Sequence, residues 1–283
     1  MKKFAEKILI TLKSPSSIWR GIFIIFFATG IFLILTGARA CERKMVLVPE
    51  GPSWVGCNPS APDPFGEPCK NDQLPFHLVY LSSFLIDRTE VPFEEYRKCV
   101  AAGACHESLY EHDPNLNSDD QPAVGVNWVD ATAYCEWSGK RLPTEAEWEK
   151  AARGPFGFIY PWGNEWEPTY ANWDEGGAYD GYTTTAPVDS FEDTPSPYGT
   201  VNMAGNVWEW VSDIYDPEYY SYSPLVNPKG AESGDLRILK GGAWEWDFYE
   251  TRLRTYHRDA QCFCGLSDHV GFRCATDIDL PHE

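Results

Sequence analysis

Basic residues are scarce in this chain once its first 40 residues are set aside. The rest of the sequence holds 17 Lys/Arg against 41 acids, a net −24, while residues 1–40 hold six Lys/Arg and one acid, a net +5. A body this acidic repels a phosphate backbone, which excludes nucleic acid as a partner. Long helical periodicities are few, and there is no internal repeat or low-complexity tract. A helix bundle is therefore excluded. What is abundant is aromatic: 12 Trp, 15 Tyr and 15 Phe, with 23 Gly and 22 Pro, among 283 residues. That composition describes a loop-rich, aromatic-packed globule, long enough for one large domain or two small ones.

The N-terminus, residues 1–40, reads as a signal or membrane-anchor segment. Lys2, Lys3, Lys7, Lys13 and Arg20 precede an uncharged apolar run over residues 21–37. Such a run is just long enough to span a bilayer, and a positive flank before it puts the body outside the cytoplasm. Ala38-Arg39-Ala40 also has the small-x-small pattern of a cleavage site. Cys41 follows directly and is a candidate lipidated residue, although Arg39 makes a poor lipidation box. Three fates stay open: a retained inner-membrane anchor, a lipoprotein, or release. Each gives an extracytoplasmic body in the periplasm or cell envelope. Without Cys41, eight cysteines remain: Cys57, Cys69, Cys99, Cys105, Cys135, Cys262, Cys264 and Cys274. An even number outside the cytoplasm reads as up to four disulfides.

The folded region runs over residues 45–275, with a tail at 276–283. Short strands are expected at 45–48, 76–81 and 84–87. Asn127 caps a helix that stops at Gly139, and Thr144-Glu145-Ala146-Glu147 is a capping box whose helix ends near Arg153-Gly154. A third helix is expected over 93–100, with Phe93, Tyr96 and Val100 on one face. Beyond Gly154 the pattern is loops and short strands.

Four segments together resemble the formylglycine-generating enzyme (sulfatase-modifying factor) family. They are the run from Ala133 to Glu149, which includes Gly139-Lys140-Arg141-Leu142-Pro143-Thr144-Glu145-Ala146-Glu147-Trp148; Tyr160-Pro161-Trp162-Gly163-Asn164; Asn202-Met203-Ala204-Gly205-Asn206-Val207-Trp208-Glu209-Trp210; and Gly271-Phe272-Arg273-Cys274-Ala275. Their order and spacing match over essentially all of 45–275. The resemblance implies an α+β, C-type-lectin-type fold with little regular secondary structure, several short helices and short antiparallel strands.

It also implies two structural calcium sites. One would use Asn172, the Trp173 carbonyl, Asp180 and the Tyr182 carbonyl. The other would use Asn202, the Gly205 and Val207 carbonyls, and Glu209. Mixed carboxylate and carbonyl oxygens on irregular loops suit calcium; solvated Asx turns are the plainer reading of the same residues. Cys135 and Cys274 match a family disulfide, while a second family bridge would need cysteines at Ala152 and Tyr256. Cys99 with Cys105 is read as a local clip, and Cys57 with Cys69 as closing a Pro-rich loop. Cys262 and Cys264 stay open: direct pairing would be strained, and pairing with Cys57 and Cys69 is the rival.

The family's oxidases hold copper on two thiolates, which suit copper(I). Aligned on Gly241-Gly242, those positions carry Trp246 and Thr251, and the family's serine is Ala243. An indole N–H only donates, and a Thr hydroxyl is a weak, hard ligand. Copper is therefore not expected, nor is formylglycine generation. The candidate ligand-binding residues are Trp244, Trp246, Arg252, Arg254, His257 and Arg258, beside Tyr249 and Tyr256. Alternation puts Arg252 and Arg254 on one side of an extended segment, and Trp246, Arg252 and Arg254 are expected to face a pocket mouth. Such a surface at 240–260 suits a peptide, protein or glycan. A redox or metal role for Cys262 and Cys264, near Asp259 and Asp268, is the weaker alternative to a structural disulfide. His257 and His269 read as packed or surface residues. The expected function is a calcium-stabilised binding or envelope-assembly module. A periplasmic tailoring oxidoreductase with a non-thiolate site is the alternative, and a true formylglycine-generating oxidase the remote one.

Overall fold

Among the described residues, three small sheets and three short α-helices carry the fold, and loops make up most of the rest. The computed structural model describes residues 45–61, 63–174, 177–245 and 250–278. The N-terminal segment with Cys41, Trp246, Tyr249 and residues 279–283 of the tail lie outside the described residues.

Strands β1 (Met45–Val48), β4 (Phe84–Asp87) and β9 (Ala275–Asp277) form an antiparallel sheet in the order β1-β4-β9. β2 (Gly51–Val55) pairs antiparallel with β3 (His77–Leu81). The third sheet has the order β7-β6-β5-β8, from β5 (Trp208–Ile214), β6 (Leu236–Lys240), β7 (Asp259–Cys262) and β8 (Val270–Phe272). The expectation of antiparallel strands needs one correction: β5 and β8 run parallel, because the long excursion through β6 and β7 returns the chain to the far edge of β5.

The helices begin and end where local chemistry places them. α1 spans Phe93–Ala101. α2 spans Trp128–Trp137, and the Asn127 side chain accepts from the Asp130 N–H at 2.9 Å. α3 spans Glu145–Arg153. Its N-terminus is closed on both sides: Thr144 Oγ1 accepts from Glu147 N–H at 3.2 Å, and the Glu147 carboxylate accepts from Thr144 N–H at 2.8 Å.

One apolar cluster joins α1, α2, β5 and β8 through Phe93, Tyr96, Tyr134, Trp210 and Phe272. A second lies under β1 to β4 and α3, around Phe84, Ile86, Trp148 and Val211. A third is aromatic: Tyr160, Trp162, Trp166 and Trp173 pack beside Leu253 and Tyr256. The Cys135–Cys274 disulfide lies wholly buried inside the first cluster and ties α2 to the turn between β8 and β9.

α3 does something unusual for a helix: it buries charge. Glu145, Glu149, Lys150 and Arg153 are all buried. Glu149 accepts from Arg153 at 2.7 Å, from Lys240 at 3.2 Å and from Gly56 N–H at 2.9 Å. Arg258 donates to Glu145 at 2.8 Å. Glu145, Glu149 and Arg153 thus each have an opposite charge beside them, while Lys150 donates to the Pro49 and Gly51 carbonyls at 2.7 and 3.1 Å. Each buried charge is therefore paired or hydrogen-bonded, as burial requires.

Candidate functional site

The segment after β6 builds one wall of a cleft. Residues 250–253 form a 3-10 turn, where an extended run was expected. Thr255 then anchors the chain, its N–H to the Ile159 carbonyl and its hydroxyl to the Phe158 carbonyl, both at 2.8 Å. Thr251, Arg254 and His257 line a cleft of about 380 Å³, opposite Glu67, Pro68, Cys69, Lys70, Asn71 and Gln73. The opposing wall is held by the Cys57–Cys69 disulfide, by Cys57 N–H on the Gln73 carbonyl at 3.0 Å, and by Arg258 on the Asp72 carbonyl at 2.8 Å. Glu67, Pro68 and Cys69 also line a second cavity of about 480 Å³. That cavity carries Trp54, Phe76, Phe156, Asp63, Arg153 and Tyr256. Trp54 and Phe76 stack at 4.7 Å, and Phe156 is 74% exposed.

The structure thus sorts the candidate ligand-binding residues. Arg254 and His257 reach the cleft. Arg254 is buried and donates to Asp63 at 2.6 Å, while its Nε has no protein partner. His257 is held well below the usual histidine range, first by burial and then by the charges of Lys70, Lys240 and the nearby arginines, so it is neutral at pH 7. Burial pushes the Tyr256 phenol up to about 12, against the pull of Arg254. Arg258 is not at a pocket mouth. It is buried against Glu145 and between the Tyr215 and Tyr220 rings, and it positions the wall rather than meeting a ligand. Arg252 is partly exposed, with Asp259 at 3.9 Å. Trp244 is buried and donates to the Asp268 carbonyl at 3.3 Å. Ala243 is buried as well.

All eight described cysteines are in disulfides. Cys57–Cys69, Cys99–Cys105 and Cys135–Cys274 pair as read from the sequence. Cys262 pairs with Cys264, at the end of β7. The rival pairing with Cys57 and Cys69 is thereby corrected.

The two groups of oxygen donors meet in one knot. Asn172 donates to the Thr184 carbonyl at 2.9 Å and to Asn206 Oδ1 at 3.0 Å, leaving its own Oδ1 buried without a partner. Asp180 accepts from the N–H groups of Trp173 (3.0 Å) and Tyr182 (2.8 Å), closing that loop. Asn202 and Asn206 both take positive φ, +57° and +65°. They donate to opposite oxygens of buried Glu90, at 3.1 and 2.8 Å. At Gly205, φ +76°, a Cβ would collide with the Asn172 carbonyl. Glu209 is committed elsewhere. Arg273 donates to both its oxygens at 2.7 Å, and Trp148 Nε1 donates at 2.9 Å. Burial, with the nearby charge of Glu209 adding to it, raises Glu90 to about 7 despite Arg273. Glu90 and Arg273 were absent from the donor sets read from sequence. No local signal marks Glu90, which lies 112 residues from Asn202.

A buried carboxamide oxygen without a hydrogen-bond partner, beside a carboxylate-closed loop, fits calcium at the Asn172 loop. The Asn202 group fits less simply, because Arg273 already neutralises Glu209.

Comparison with known proteins agrees with this architecture. The family model "Sulfatase-modifying factor enzyme 1-like domain" matches residues 34–278. Formylglycine-generating enzyme from Streptomyces coelicolor is 45% identical over 174 residues, 57% of this chain and 54% of that protein. The inactive Cα-formylglycine-generating enzyme 2 of Mus musculus is 38% identical over 172 residues, 57% of this chain and 51% of that protein. The chain thus spans about half the length of these curated relatives. Among solved structures, PvdO from Pseudomonas aeruginosa superposes with a TM-score of 0.69 at 27% identity, covering 83% of this chain and 94% of that one. With a family model spanning nearly the whole described fold, this chain belongs to the sulfatase-modifying factor (formylglycine-generating enzyme-like) family.

Proposed function

We propose that this chain is an extracytoplasmic, membrane-anchored binding or envelope-assembly module that does not carry out copper-dependent formylglycine generation. One observation carries the reading: every described cysteine is consumed in a disulfide, and the residue at the cleft where a thiolate would be needed is Thr251. A copper(I) site of two thiolates has no donors there. The cleft and the cavity that share the wall of Glu67, Pro68 and Cys69 instead offer the Arg254 guanidinium in one and aromatic faces at Trp54, Phe76 and Phe156 in the other. Rings and a guanidinium suit an extended peptide or a glycan.

Calcium belongs to this proposal as a structural ion. Asn172, Asp180 and the carbonyls of Trp173 and Tyr182 would hold it, pinning a loop that has no sheet beneath it. At 100 times its Kd, such an ion stabilises the fold by about 2.7 kcal/mol.

A second reading rests on neutral His257 beside Arg254 in the cleft, with Tyr256 lining the neighbouring cavity, which suits a tailoring oxidoreductase with a non-thiolate site. The test of the first reading is incubation of the detergent-solubilised chain with copper, oxygen and a peptide carrying the sulfatase cysteine motif. No aldehyde is expected in the peptide. Aldehyde formation at a rate above that of copper alone refutes the proposal.

A further inference from the structure

The return of β8 to the edge of β5 has a chemical consequence at one end of the third sheet. β6 ends at Lys240 opposite Glu209, and β8 begins at Val270 opposite Trp208. The chain leaving β6 and the chain entering β8 therefore meet. They bring together Glu245 from the first and Asp268 and His269 from the second, the one such His/Cys/Asp/Glu group among the described residues, with one donor atom from each inside 4.8 Å.

We propose that Glu245, Asp268 and His269 bind one divalent transition-metal ion in a site made without sulfur. His269 Nδ1 lies 2.9 Å from an Asp268 oxygen and 3.2 Å from a Glu245 oxygen. Donors that each sit about 2.0–2.2 Å from an ion, at angles between octahedral and tetrahedral, are separated by about 2.8–3.6 Å. The imidazole therefore stands at ligand spacing from both carboxylates before any ion arrives.

Their backbones are pinned. Trp208 N–H donates to the His269 carbonyl at 2.9 Å, and Trp244 Nε1 donates to the Asp268 carbonyl at 3.3 Å. Trp244 is itself tied through its own N–H to the Asn206 carbonyl at 3.0 Å. Such support is what holds ligands in place at a metal site. The side chains remain 24%, 33% and 39% exposed for His269, Glu245 and Asp268, which leaves one side of an ion open to water or a ligand. Three protein ligands with an open position is the form of zinc sites that act on substrates. The imidazole nitrogen sets the class of ion. Calcium and magnesium take oxygen donors, whereas zinc, iron and nickel accept a mixed nitrogen and oxygen set. Two carboxylates, on a body of net −24, complete the attraction for a cation.

The test uses the full chain in detergent, stripped with EDTA, alkylated so that Cys41 contributes no thiol, and resupplied with saturating Ca2+ to fill any oxygen-only site. Titration with Zn2+ is expected to show one equivalent bound. His269→Gln and Asp268→Asn are expected to weaken that binding by no less than the roughly 10- to 100-fold lost when a group merely supporting a ligand is removed. The near-UV circular dichroism of both variants in EDTA should match that of the unaltered chain. Co2+ in place of Zn2+ is expected to give a visible absorption band that His269→Gln abolishes. If the unaltered chain takes up no Zn2+ under these conditions, His269 is simply an imidazolium bridging two carboxylates and the proposal falls. It falls equally if the His269→Gln and unaltered chains bind Zn2+ alike.

Discussion

Removing the two most unlike disulfides measures how far each one shapes the unfolded chain. Cys135–Cys274 joins residues 139 apart, and Cys262–Cys264 joins residues 2 apart. In the loop-closure treatment the entropy removed from the unfolded state grows as 2.1 + 1.5R ln n, in cal/mol/K. The first bridge then contributes about 5 kcal/mol at 25 °C and the second about 1 kcal/mol. Burial widens the gap, because Cys135 and Cys274 are 0% exposed inside the cluster of Tyr134 and Phe272, and alanine there leaves unfilled space. Domain stabilities are about 5–15 kcal/mol, so Cys135→Ala/Cys274→Ala should lose about a third of that stability or more. Guanidinium unfolding of the two double variants, followed by tryptophan fluorescence, gives the losses directly. Equal losses, or a larger one for Cys262→Ala/Cys264→Ala, would refute the loop-length argument. They would show instead that the short clip organises the hairpin leading to β8.

The Glu209–Arg273 pair gives a second prediction. Glu209→Gln leaves Arg273 buried with its charge uncompensated and should cost about 3–5 kcal/mol in the same unfolding assay; a loss under about 1 kcal/mol would mean that water reaches the guanidinium. Asp213 gives a pH prediction. Burial, and then the charge of Glu145, raises it from 3.8 to about 7, so the folded chain holds a proton that the unfolded chain has released. Its contribution is complete below pH 3.8 and is lost as pH rises through about 7. At 1.36 kcal/mol per unit this is at most about 4 kcal/mol. Asp213→Asn should therefore flatten the decline in melting temperature between pH 5 and pH 8, and an unchanged slope would contradict the assignment. His257 acts with the opposite sign. Its lowered folded value gives stability that is present above pH 6.5 and lost below, so comparing variant with parent at each pH isolates Asp213. Finally, Gly205→Ala places a Cβ against the Asn172 carbonyl at φ +76° and should cost roughly 2 kcal/mol or more. A melting temperature within a degree of the parent would show that the Asn172 loop yields freely.

By itself the sequence determined what depends on near neighbours. The Asn127 cap, the Thr144 capping box and the end of α3 at Arg153 are set by side chains within four residues of the groups they satisfy, and they lie where those side chains predict. The strand at 84–87 is as legible, because its apolar run is short and bounded. The long motifs also reached the family, since their residues hold the core together: Trp148, Glu209 and Arg273 form one buried contact. Tertiary structure decided what depends on partners far along the chain. Arg254 and Arg258 look alike in sequence, yet Asp63, 191 residues away, draws one to the cleft, and Glu145, 113 residues away, takes the other into the core. Glu90 enters the asparagine knot with no local mark. His269 read as a packed residue until the parallel pairing of β5 and β8 set it beside Glu245. An ionic or hydrogen-bonded partner at long range follows from strand order, and strand order is set by how all the apolar faces are buried at once.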